Sequence, residues 1–256
     1  MNKTFYCVIA GLFLSLCSSA QQNTTIGNNE KLVYKASYNM SGLLTQIAQV
    51  SMETETVTTK KGSLLHLKCI AATYSKWDDF FKIRDLYEAY VNPNTLKPRL
   101  YKRDINEGGY IKKVKYIFNY GKKTVSSTMT KGNGSEQKKT LTLNQSTHDL
   151  VSTLYQIRNM DIGKASIGDA QQLNVLFDNK VKTVVLKYVG KESIAVAGVG
   201  TKECYKIVVS ANEASLKGRG QNIIWLTADS KRIPVLIKFA IPVGTGKLEL
   251  SSAQGV

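Results

Sequence analysis

YIKKVKYIFNY, residues 110–120, alternates polar and apolar side chains along its length. Large apolar side chains from Val114 onward share one face, whereas lysines such as Lys115 lie on the other. A period of two is that of a β-strand with one buried face and one solvated face. The preceding run LYKRDIN, residues 100–106, is separated from it by Glu107-Gly108-Gly109. A short glycine-rich connection between two such runs predicts a β-hairpin.

The same alternation continues through most of the chain, for example in residues 65–71 and 205–209. Many short runs with short connections favour an antiparallel sheet that closes or folds over, because unpaired edges are costly. We therefore predict a mainly β fold, an antiparallel barrel-like or folded-over sheet of roughly 11 to 13 strands, with one main helix at about 147–160. No repeat or linker divides residues 21–256, so we expect a single β-rich domain.

One segment has the pattern of a helix rather than a strand. Ser146 and Asp149 fit the capping pattern in which Ser or Thr is followed three residues later by Asp or Glu. The apolar residues that follow lie mostly on one helical stripe, and Arg158 suits the C-terminal end electrostatically. The members of that stripe are Leu150, Val151, Leu154, Tyr155 and Ile157.

The first 20 residues have the pattern of an export signal. Lys3 gives a positive start, and residues 5–16 (FYCVIAGLFLSL) form an apolar run too short to span a membrane. Small residues then lead to a cleavage point after Ala20. We expect a cleaved signal peptide at 1–20 and a periplasmic or secreted protein, with an outer-membrane lipoprotein acylated at Cys17 as the alternative. No later apolar run is long enough for a transmembrane span.

The chain is strongly basic, with 35 lysines and arginines against 19 acids and a formal net charge of +16. Much of the excess lies between Lys97 and Lys139, on the predicted hairpins. A positive face there favours anionic lipid, lipopolysaccharide or polysaccharide as partners, while export argues against nucleic acid. The alternative is a solubilising strand face that protects sheet edges. The candidate ligand-binding residues are Lys102, Arg103, Lys112, Lys113, Lys115, Lys122 and Lys123.

Residue types that carry catalysis are not arranged for it. His66 and His148 are the two histidines, and no cysteine pair or HExxH motif accompanies them, so we expect no metal site. There is no GxSxG nucleophile motif, and the SxxK match at residues 135–138 lies in a glycine-rich turn. We therefore expect a protein that is not an enzyme and uses no cofactor.

The segment YSKWDDFFKIR, residues 74–84, supplies the alternative. Aromatic rings stack on sugars, and paired carboxylates carry out the proton transfers of glycoside hydrolysis. Asp78 and Asp79, beside three large aromatic residues, would then belong to a carbohydrate-active hydrolase. Adjacent residues of a strand point to opposite faces, however, so the two acids would not face one substrate. A solvated loop is the other interpretation of this segment.

Cleavage of the signal would leave two cysteines, Cys69 and Cys204. An oxidising compartment permits a disulfide between them. The sequence does not show whether their Cα atoms approach to within about 6 Å. A disulfide and two separate buried thiols therefore both stay open.

Four stretches resemble, in the same order, the bacterial family catalogued as domain of unknown function 3108. The third is similar to the family's helix D-x-x-S-x-x-Y-x-x-R, and the fourth to its hairpin I-W-L-x-x-D-x-x-R-x-P-V. The resemblance implies an exported protein with an antiparallel, barrel-like β fold around a helix. Related envelope folds include lipoprotein carriers and an accessory lipoprotein of capsule export. The four stretches are 30–38 (EKLVYKASY), 87–98 (YEAYVNPNTLKP), 148–158 (HDLVSTLYQIR) and 224–235 (IWLTADSKRIPV).

The resemblance implies no catalytic residues, and the matching residues have a structural interpretation. Asp149 and Arg158 would tie the helix ends to the sheet, and Asp229 would hold a tight turn. A ligand site is the alternative for this set. Its members are Tyr87, Glu88, Asp149, Tyr155, Arg158, Trp225, Asp229, Arg232 and Pro234.

Together, these patterns predict a non-enzymatic periplasmic or cell-envelope protein that binds an amphiphile or another anionic envelope component. In that hypothesis, a half-open barrel accepts the amphiphile and the basic hairpins meet its anionic groups. A scaffold in an envelope complex is a further hypothesis, although the sequence identifies no protein partner. An interior filled by side chains would reduce the carrier hypothesis to binding at the surface.

Overall fold

The computed structural model describes residues 22–40, 43–144, 146–197, 200–210, 222–241 and 244–256. The predicted signal peptide, with Cys17 and the cleavage point after Ala20, lies outside these residues. Within them, the chain forms one 15-stranded sheet, two α-helices and a short 3-10 helix. None of the helices in these ranges has both the length and the apolar character needed to cross a bilayer.

The elements follow one another as a series of strands interrupted by the helices. The strands are β1 (Lys31–Met40), β2 (Leu43–Thr59), β3 (Gly62–Thr73), β4 (Arg84–Val91), β5 (Pro98–Glu107), β6 (Tyr110–Asn119), β7 (Thr124–Lys131), β8 (Gln137–Thr142), β9 (Thr147–His148), β10 (Ala170–Phe177), β11 (Lys180–Val196), β12 (Gly200–Ser210), β13 (Asn222–Thr227), β14 (Pro234–Ile241) and β15 (Gly244–Gln254). The α-helices are α1 (Ser75–Phe81) and α2 (Leu150–Asn159), and the 3-10 helix is Ile162–Lys164.

The sheet is a meander whose two halves meet where the first and last strands pair. β1 pairs with β2 on one side and with β15 on the other, both antiparallel. β9 is the exception to antiparallel pairing, because it runs parallel to β10. The order is β8-β7-β6-β5-β4-β3-β2-β1-β15-β14-β13-β12-β11-β10-β9. The prediction of a mainly β, antiparallel, folded-over sheet is therefore confirmed.

The strand count is higher than expected because both edge strands lack clear alternation. β8 (QKKTLT) is exposed along nearly its whole length, and β9 consists of Thr147 and His148. Short strands of this kind do not show the apolar period that marks a strand in a sequence. The second helix, α1, lies in the segment at 74–84, where the sequence shows no alternation.

Helix α2 lies within the predicted range, but its capping box begins at Asp149 rather than at Ser146. The Asp149 Oδ1 atom accepts a hydrogen bond from the Ser152 backbone N–H at 2.8 Å. In return, the Ser152 hydroxyl accepts one from the Asp149 N–H at 3.1 Å. This reciprocal pair satisfies two backbone donors at the helix start. Burial raises the pKa of Asp149 to about 6, although its bonds to Ser152 favour the ionised form.

Helix α2 fills space on the concave side of the sheet. It contacts β3, β4 and β10, and so bridges the two halves. Val151 and Tyr155 pack in the larger core, which holds residues of both halves, whereas Ile157 belongs to a second core with Ile224 and Leu226 of β13. A void of about 10 Å³ beside Ile157 has room for about one water molecule. Side chains thus occupy this interface, which favours binding at the surface over a half-open barrel.

A buried ion pair joins the end of α2 to the start of the sheet. Arg158 Nη2 lies 2.8 Å from Glu30 Oε2, and the two side chains are 0% and 1% exposed. The same nitrogen donates to the Lys231 carbonyl at 3.1 Å. Tyr34 and Tyr155 lie close to the pair, and burial raises the pKa of both hydroxyls, which keeps them neutral. Three distant parts of the chain therefore meet at Arg158.

An aspartate side chain holds the turn between β13 and β14. Asp229 Oδ1 accepts hydrogen bonds from the backbone N–H groups of Lys231 and Arg232, at 2.9 and 3.0 Å. It also accepts one from the Thr227 hydroxyl at 2.8 Å. Arg232 has a φ of 43°, and its guanidinium donates to the Thr25 hydroxyl at 3.1 Å. The turn is thereby fastened to the segment that precedes β1.

The two cysteines lie far apart in the order of strands. Cys69 is on β3 and Cys204 is on β12, and both are free thiols. Burial raises the pKa of Cys69 to about 12 and that of Cys204 to about 11. Because the thiolate is the reactive form, both groups are poor nucleophiles near neutral pH. Of the two alternatives left open by the sequence, the structure has separate thiols.

Replacing Glu30 by Gln should destabilise the protein strongly, because Arg158 would keep its buried charge without a counter-ion. Removing one partner of a buried pair costs about 3–5 kcal/mol. The matched control is Glu53→Gln, which breaks the more exposed contact to Lys31, a kind of pair worth about 0–1 kcal/mol. Urea unfolding of both variants measures the difference. Equal losses would mean that the Glu30–Arg158 pair has no special weight.

His148 should make the protein acid-labile. Burial, with a smaller effect of Lys97, lowers the pKa of His148 to about 4. As the pH falls below about 6.5, His148 takes up a proton in the unfolded chain but not in the folded chain. The free energy of unfolding therefore decreases as the pH falls from about 6.5 to about 4. The slope from this group is at most about 1.4 kcal/mol per pH unit. His148→Gln should flatten the pH dependence of urea unfolding between pH 4.5 and 6.5, and parallel curves would contradict this.

Candidate functional site

Strand alternation divides the lysine-rich hairpins between the two faces of the sheet. Lys102 on β5, and Lys113 and Lys115 on β6, point to the outer face and are exposed. Lys122 and Lys123 are exposed in the turn between β6 and β7. All five residues are thus accessible to solvent.

Arg103 and Lys112 are not part of that outer face, which corrects the sequence-based prediction. Arg103 follows the outward Lys102, and Lys112 precedes the outward Lys113. Because successive side chains of a strand point to opposite faces, both residues point inward, and each is 6% exposed. Both bind the carboxylate of Asp178 in the β10–β11 turn, with Lys112 Nζ 2.7 Å from Oδ1. Burial acts to raise the pKa of Asp178, but the hydrogen bonds from Lys112 and Arg103 hold it below its usual range.

A further contact strengthens this inner connection. The Ser127 hydroxyl on β7 donates to Asn179 Oδ1 at 2.5 Å, and the Asn179 N–H donates to the Tyr116 hydroxyl at 3.1 Å. Asp178 and Asn179 both have positive φ, as a tight two-residue hairpin turn requires. The turn therefore fastens the C-terminal half of the sheet onto β5, β6 and β7. Arg103 and Lys112 have a structural partner rather than a free surface.

The outward residues of β4 to β7 line an open groove of about 300 Å³, hereafter the outer groove. Lysine ammonium groups and threonine hydroxyls stand together in it, and both donate hydrogen bonds to anions. The outward-pointing residues that line it are Leu86, Glu88, Lys102, Asp104, Lys113, Lys115, Thr128, Thr130 and Glu136.

Two lysines oppose each other in the middle of the outer groove. The register of β5 and β6 places Lys102 directly opposite Lys115. Like charges in directly opposed positions of neighbouring strands are destabilising. The neighbouring Lys113 is different, because it lies 3.2 Å from Asp104. Among the described residues, no carboxylate oxygen lies within ion-pair distance of Lys102 or Lys115, although Glu88 on β4 stands directly opposite Lys102 and also lines the groove.

An aromatic residue on β4 flanks the opposed lysines. The Lys102 ammonium lies 5.6 Å from the centre of the Tyr90 ring, within the range of a cation–π contact. Tyr90 stacks on His66 with centroids 4.3 Å apart and an interplanar angle of 3°. Glu88 fixes both rings, since its Oε1 lies 2.9 Å from His66 Nε2 and 3.3 Å from the Tyr90 hydroxyl. A stacked and hydrogen-bonded aromatic ring therefore lies beside Lys102 at the β4 side of the groove.

The family-motif residues lie outside the outer groove except for Glu88. The Tyr87 hydroxyl bonds to Asp85 at 3.3 Å, and Pro234 begins β14. Trp225 is 3% exposed, and its indole N–H donates to Glu192 at 2.9 Å. The ammonium groups of Lys206 and Lys238 lie 5.4 and 5.2 Å from the centre of its ring. With Asp149, Arg158, Asp229 and Arg232 placed at helix and turn contacts, this set packs the fold.

The acids of the hydrolase alternative lie on α1. Asp78 is bound by the Arg84 guanidinium at 2.5 Å and by the Thr73 hydroxyl at 2.6 Å. The Arg84 and Thr73 hydrogen bonds hold the pKa of Asp78 below its usual range. A general acid in glycoside hydrolysis needs a raised pKa instead. Asp79 is exposed on the same short helix, so nothing in this arrangement favours a hydrolase.

The histidines are placed singly, in keeping with their strand positions. His66 is on β3 beside Glu88, and His148 is buried on the edge strand β9. Among the residues that the structure describes, no cluster of three or more His, Cys, Asp or Glu side chains is arranged to hold a metal ion.

Sequence reasoning missed two polar residues of the outer groove, Thr128 and Thr130, whereas it singled out Glu88 as a family-motif residue. The threonines alternate with buried Ser127 and Met129 along β7, so their shared face was visible as a period of two. Their position beside Lys113 and Lys115 depends on the β6–β7 register. That register is a pairing between strands and leaves no signal in either strand alone.

Comparison with known proteins places the chain in context. A family model described as protein of unknown function (DUF3108) matches residues 33–251. No curated protein matches the chain. A β-barrel-like protein of domain of unknown function DUF1849 from Brucella abortus is similar in structure, with a TM-score of 0.54 and 9% identity. That match covers 89% of this chain and 97% of the other, and it shows a shared fold alone.

A second solved structure is more distant. It is a candidate lipoprotein from Parabacteroides distasonis, with a TM-score of 0.36 and 13% sequence identity. The match covers 90% of this chain and 97% of that one. At this level of similarity the relationship carries no inference about the chain.

Replacing Lys115 by Thr should stabilise the unliganded protein. The change removes the repulsion with Lys102. Charged residues directly across two strands change the free energy of unfolding by roughly 0.2–1 kcal/mol. Lys113→Thr is the matched control on the same strand and face, and it should give no gain because it loses the contact to Asp104. Urea unfolding at low salt measures both variants. A loss of stability in Lys115→Thr as large as in the control would contradict the repulsion between Lys102 and Lys115.

Proposed function

The chain belongs to the family described as protein of unknown function (DUF3108), and we propose that it is a non-enzymatic cell-envelope protein that binds anionic groups of an envelope amphiphile. The outer groove is the binding site. Its ligands are the phosphate or carboxylate groups of a lipid, lipopolysaccharide or polysaccharide. The observation that carries this proposal is the direct opposition of Lys102 and Lys115 in the groove.

An anion between the two ammonium groups turns one repulsion into two attractions. Opposite unit charges 4 Å apart attract by roughly 4 kcal/mol at an effective dielectric constant of 20, and less where water has free access. The hydroxyls of Thr128 and Thr130 add neutral donors on the β7 side. The Tyr90 ring on the β4 side offers an apolar surface to the rest of an amphiphile. The groove thus matches a molecule with an anionic head and an apolar remainder.

Binding at the outer surface follows from the packing of the concave side. Helix α2 occupies that side between the two halves of the sheet, and the β10–β11 turn is fastened beside it. An acyl chain entering there would have to displace buried residues such as Tyr155 and break contacts to Asp178. The exposed groove needs no such rearrangement.

The proposal also includes location and the absence of catalysis. The N-terminal pattern at residues 1–20 supports export to the periplasm or beyond, with lipid attachment at Cys17 as the alternative anchor. The bound, low-pKa carboxylate of Asp78 supports a protein that binds rather than hydrolyses. Anionic groups are abundant in an envelope, so a basic binding surface suits that location.

The test measures binding to vesicles of phosphatidylglycerol mixed with phosphatidylcholine by co-sedimentation. Lys102→Gln/Lys115→Gln should weaken binding by roughly tenfold or more, since each lysine near an anionic surface contributes about 1 kcal/mol. Binding of the wild type should fall as salt rises, because salt screens exposed charges.

The control is Lys60→Gln/Lys61→Gln, which removes the same charge from the exposed turn between β2 and β3. It should bind nearly as well as the wild type. An equal loss in both double variants would show that net charge, and not the groove, is responsible. Salt-independent binding by the wild type would also count against the proposal.

A further inference from the structure

Large apolar side chains are exposed on several elements that reach the same end of the sheet. Antiparallel pairing brings the start of β2, the end of β3, the start of β4 and the start of β6 to this end. The residues concerned, hereafter the apolar end, are Leu43 (74% exposed), Leu44 (49%), Phe80 (71%), Phe81 (46%), Tyr110 (49%) and Ile111 (38%). Contiguous exposed apolar residues mark interaction sites more often than singly scattered ones do.

Hydrogen bonds fix α1 in the position that exposes its phenylalanines. The Trp77 indole N–H donates to the Gln46 carbonyl on β2 at 3.0 Å. The Asp78 carboxylate is held by Arg84 of β4 and Thr73 of β3. A seven-residue helix is too short to be stable alone, so these contacts define its orientation. Phe80 is therefore exposed to solvent on a helix that hydrogen bonds hold in one position.

Helix α1 also contacts the turn between β5 and β6. The Gly108 N–H donates to the Lys82 carbonyl at 2.8 Å. The Phe81 ring packs so closely on Gly108 that an added Cβ would lie 2.6 Å from Phe81 Cε2. Gly108 also has a φ of +54°, which favours glycine. The turn and α1 thus form one surface, and Tyr110 and Ile111 continue it onto β6.

Positive charge surrounds this apolar surface. Lys76 and Lys82 flank the aromatic residues of α1 and are exposed. Along β6, the outward side chains pass from Ile111 to Lys113 and Lys115, so the apolar end leads directly into the outer groove. Aromatic residues beside lysines are typical of proteins at a membrane interface, where rings enter the headgroup region and lysines meet lipid phosphates.

The acidic groups at this end are Asp78, Asp79, Asp85 and Glu107, and Asp85 is buried with Oδ1 accepting a hydrogen bond from the Asn106 N–H. Asp78 is bound to Arg84, and burial together with the Asp85 carboxyl raises the pKa of Glu107 to about 7. Asp79 is the exposed acid on α1. The charge of the flanking lysines therefore complements an anionic surface. A protein partner fits less well, because the cores of protein interfaces are depleted of lysine.

We propose that the apolar end inserts into the interfacial region of an anionic bilayer, with Phe80, Phe81 and Leu43 entering first and Lys76 and Lys82 meeting the lipid phosphates. This inference rests on the proposed function, since the bilayer would supply the anionic groups that the outer groove binds. It adds the orientation of the protein at the membrane. The strands stand with this end toward the lipid, and the opposite end, with the β13–β14 turn, faces away.

The test compares partition of Phe80→Ser/Leu43→Ser and of the wild type into vesicles of phosphatidylglycerol and phosphatidylcholine. We expect a drop in partition of about tenfold, because two nearly fully exposed apolar side chains no longer enter the interface. Ile167→Ser is the matched control, since Ile167 is also 74% exposed but lies outside the apolar end. Thermal unfolding followed by circular dichroism checks that each variant is folded.

The fluorescence of Trp77 reports insertion directly. Its emission should shift to the blue on vesicle binding and be quenched by lipids brominated in the acyl chains, and Trp77→Phe should abolish the change because Trp225 is buried. Partition unchanged in Phe80→Ser/Leu43→Ser, with no quenching, would overturn insertion. If Lys102→Gln/Lys115→Gln still lost binding, the proposed function would survive that failure.

The reverse result separates the two proposals in the other direction. Loss of binding in Phe80→Ser/Leu43→Ser with full binding in the lysine variant would support insertion and reject the outer groove. A second copy of the chain could instead cover the apolar end. Concentration-dependent dimerisation without lipid, abolished by Phe80→Ser/Leu43→Ser, would identify that occupant and overturn the membrane proposal.

Discussion

The buried ion pair between Arg158 and Glu30 is the contact on which the arrangement of the sheet depends. It holds the end of α2 against the segment that leads into β1, and it also reaches the β13–β14 turn through Lys231. A charge buried in this way is tolerated only when its partner and hydrogen bonds are in place. The pair therefore requires one position of the helix, and that position lets α2 fill the concave side.

Because α2 fills the concave side of the sheet, the outer surface is the side that is open to a ligand. A folded-over sheet suggests a container, but α2 and the β10–β11 turn use the inner surface for packing and for the contacts of Asp178. The inward basic residues Arg103 and Lys112 share the single carboxylate of Asp178 there. The lysines of the outer surface keep their charge accessible, so we assign ligand binding to the outside of the fold rather than to its inside.

Strand β6 connects the two surfaces that we assign to binding. It begins at the apolar end with Tyr110 and Ile111, and its outward side chains continue as Lys113 and Lys115 in the outer groove. An amphiphile presents the same two chemistries side by side, an apolar region and an anionic group. A single amphipathic hairpin surface can therefore contact both, so the two proposals need only one partner, the envelope surface.

Local patterns in the sequence were enough to predict the sheet, its antiparallel character, the position of α2 and the clustering of lysines on hairpins, because side-chain period and turn residues act over a few neighbouring positions. It also separated Lys113 and Lys115 from the apolar face of β6. Three contacts became visible in the folded chain: Lys102 stands opposite Lys115, Asp178 binds both Arg103 and Lys112, and Arg158 meets Glu30. Strand register and contacts between residues 66 to 128 positions apart depend on how the whole chain packs, and no local pattern encodes them.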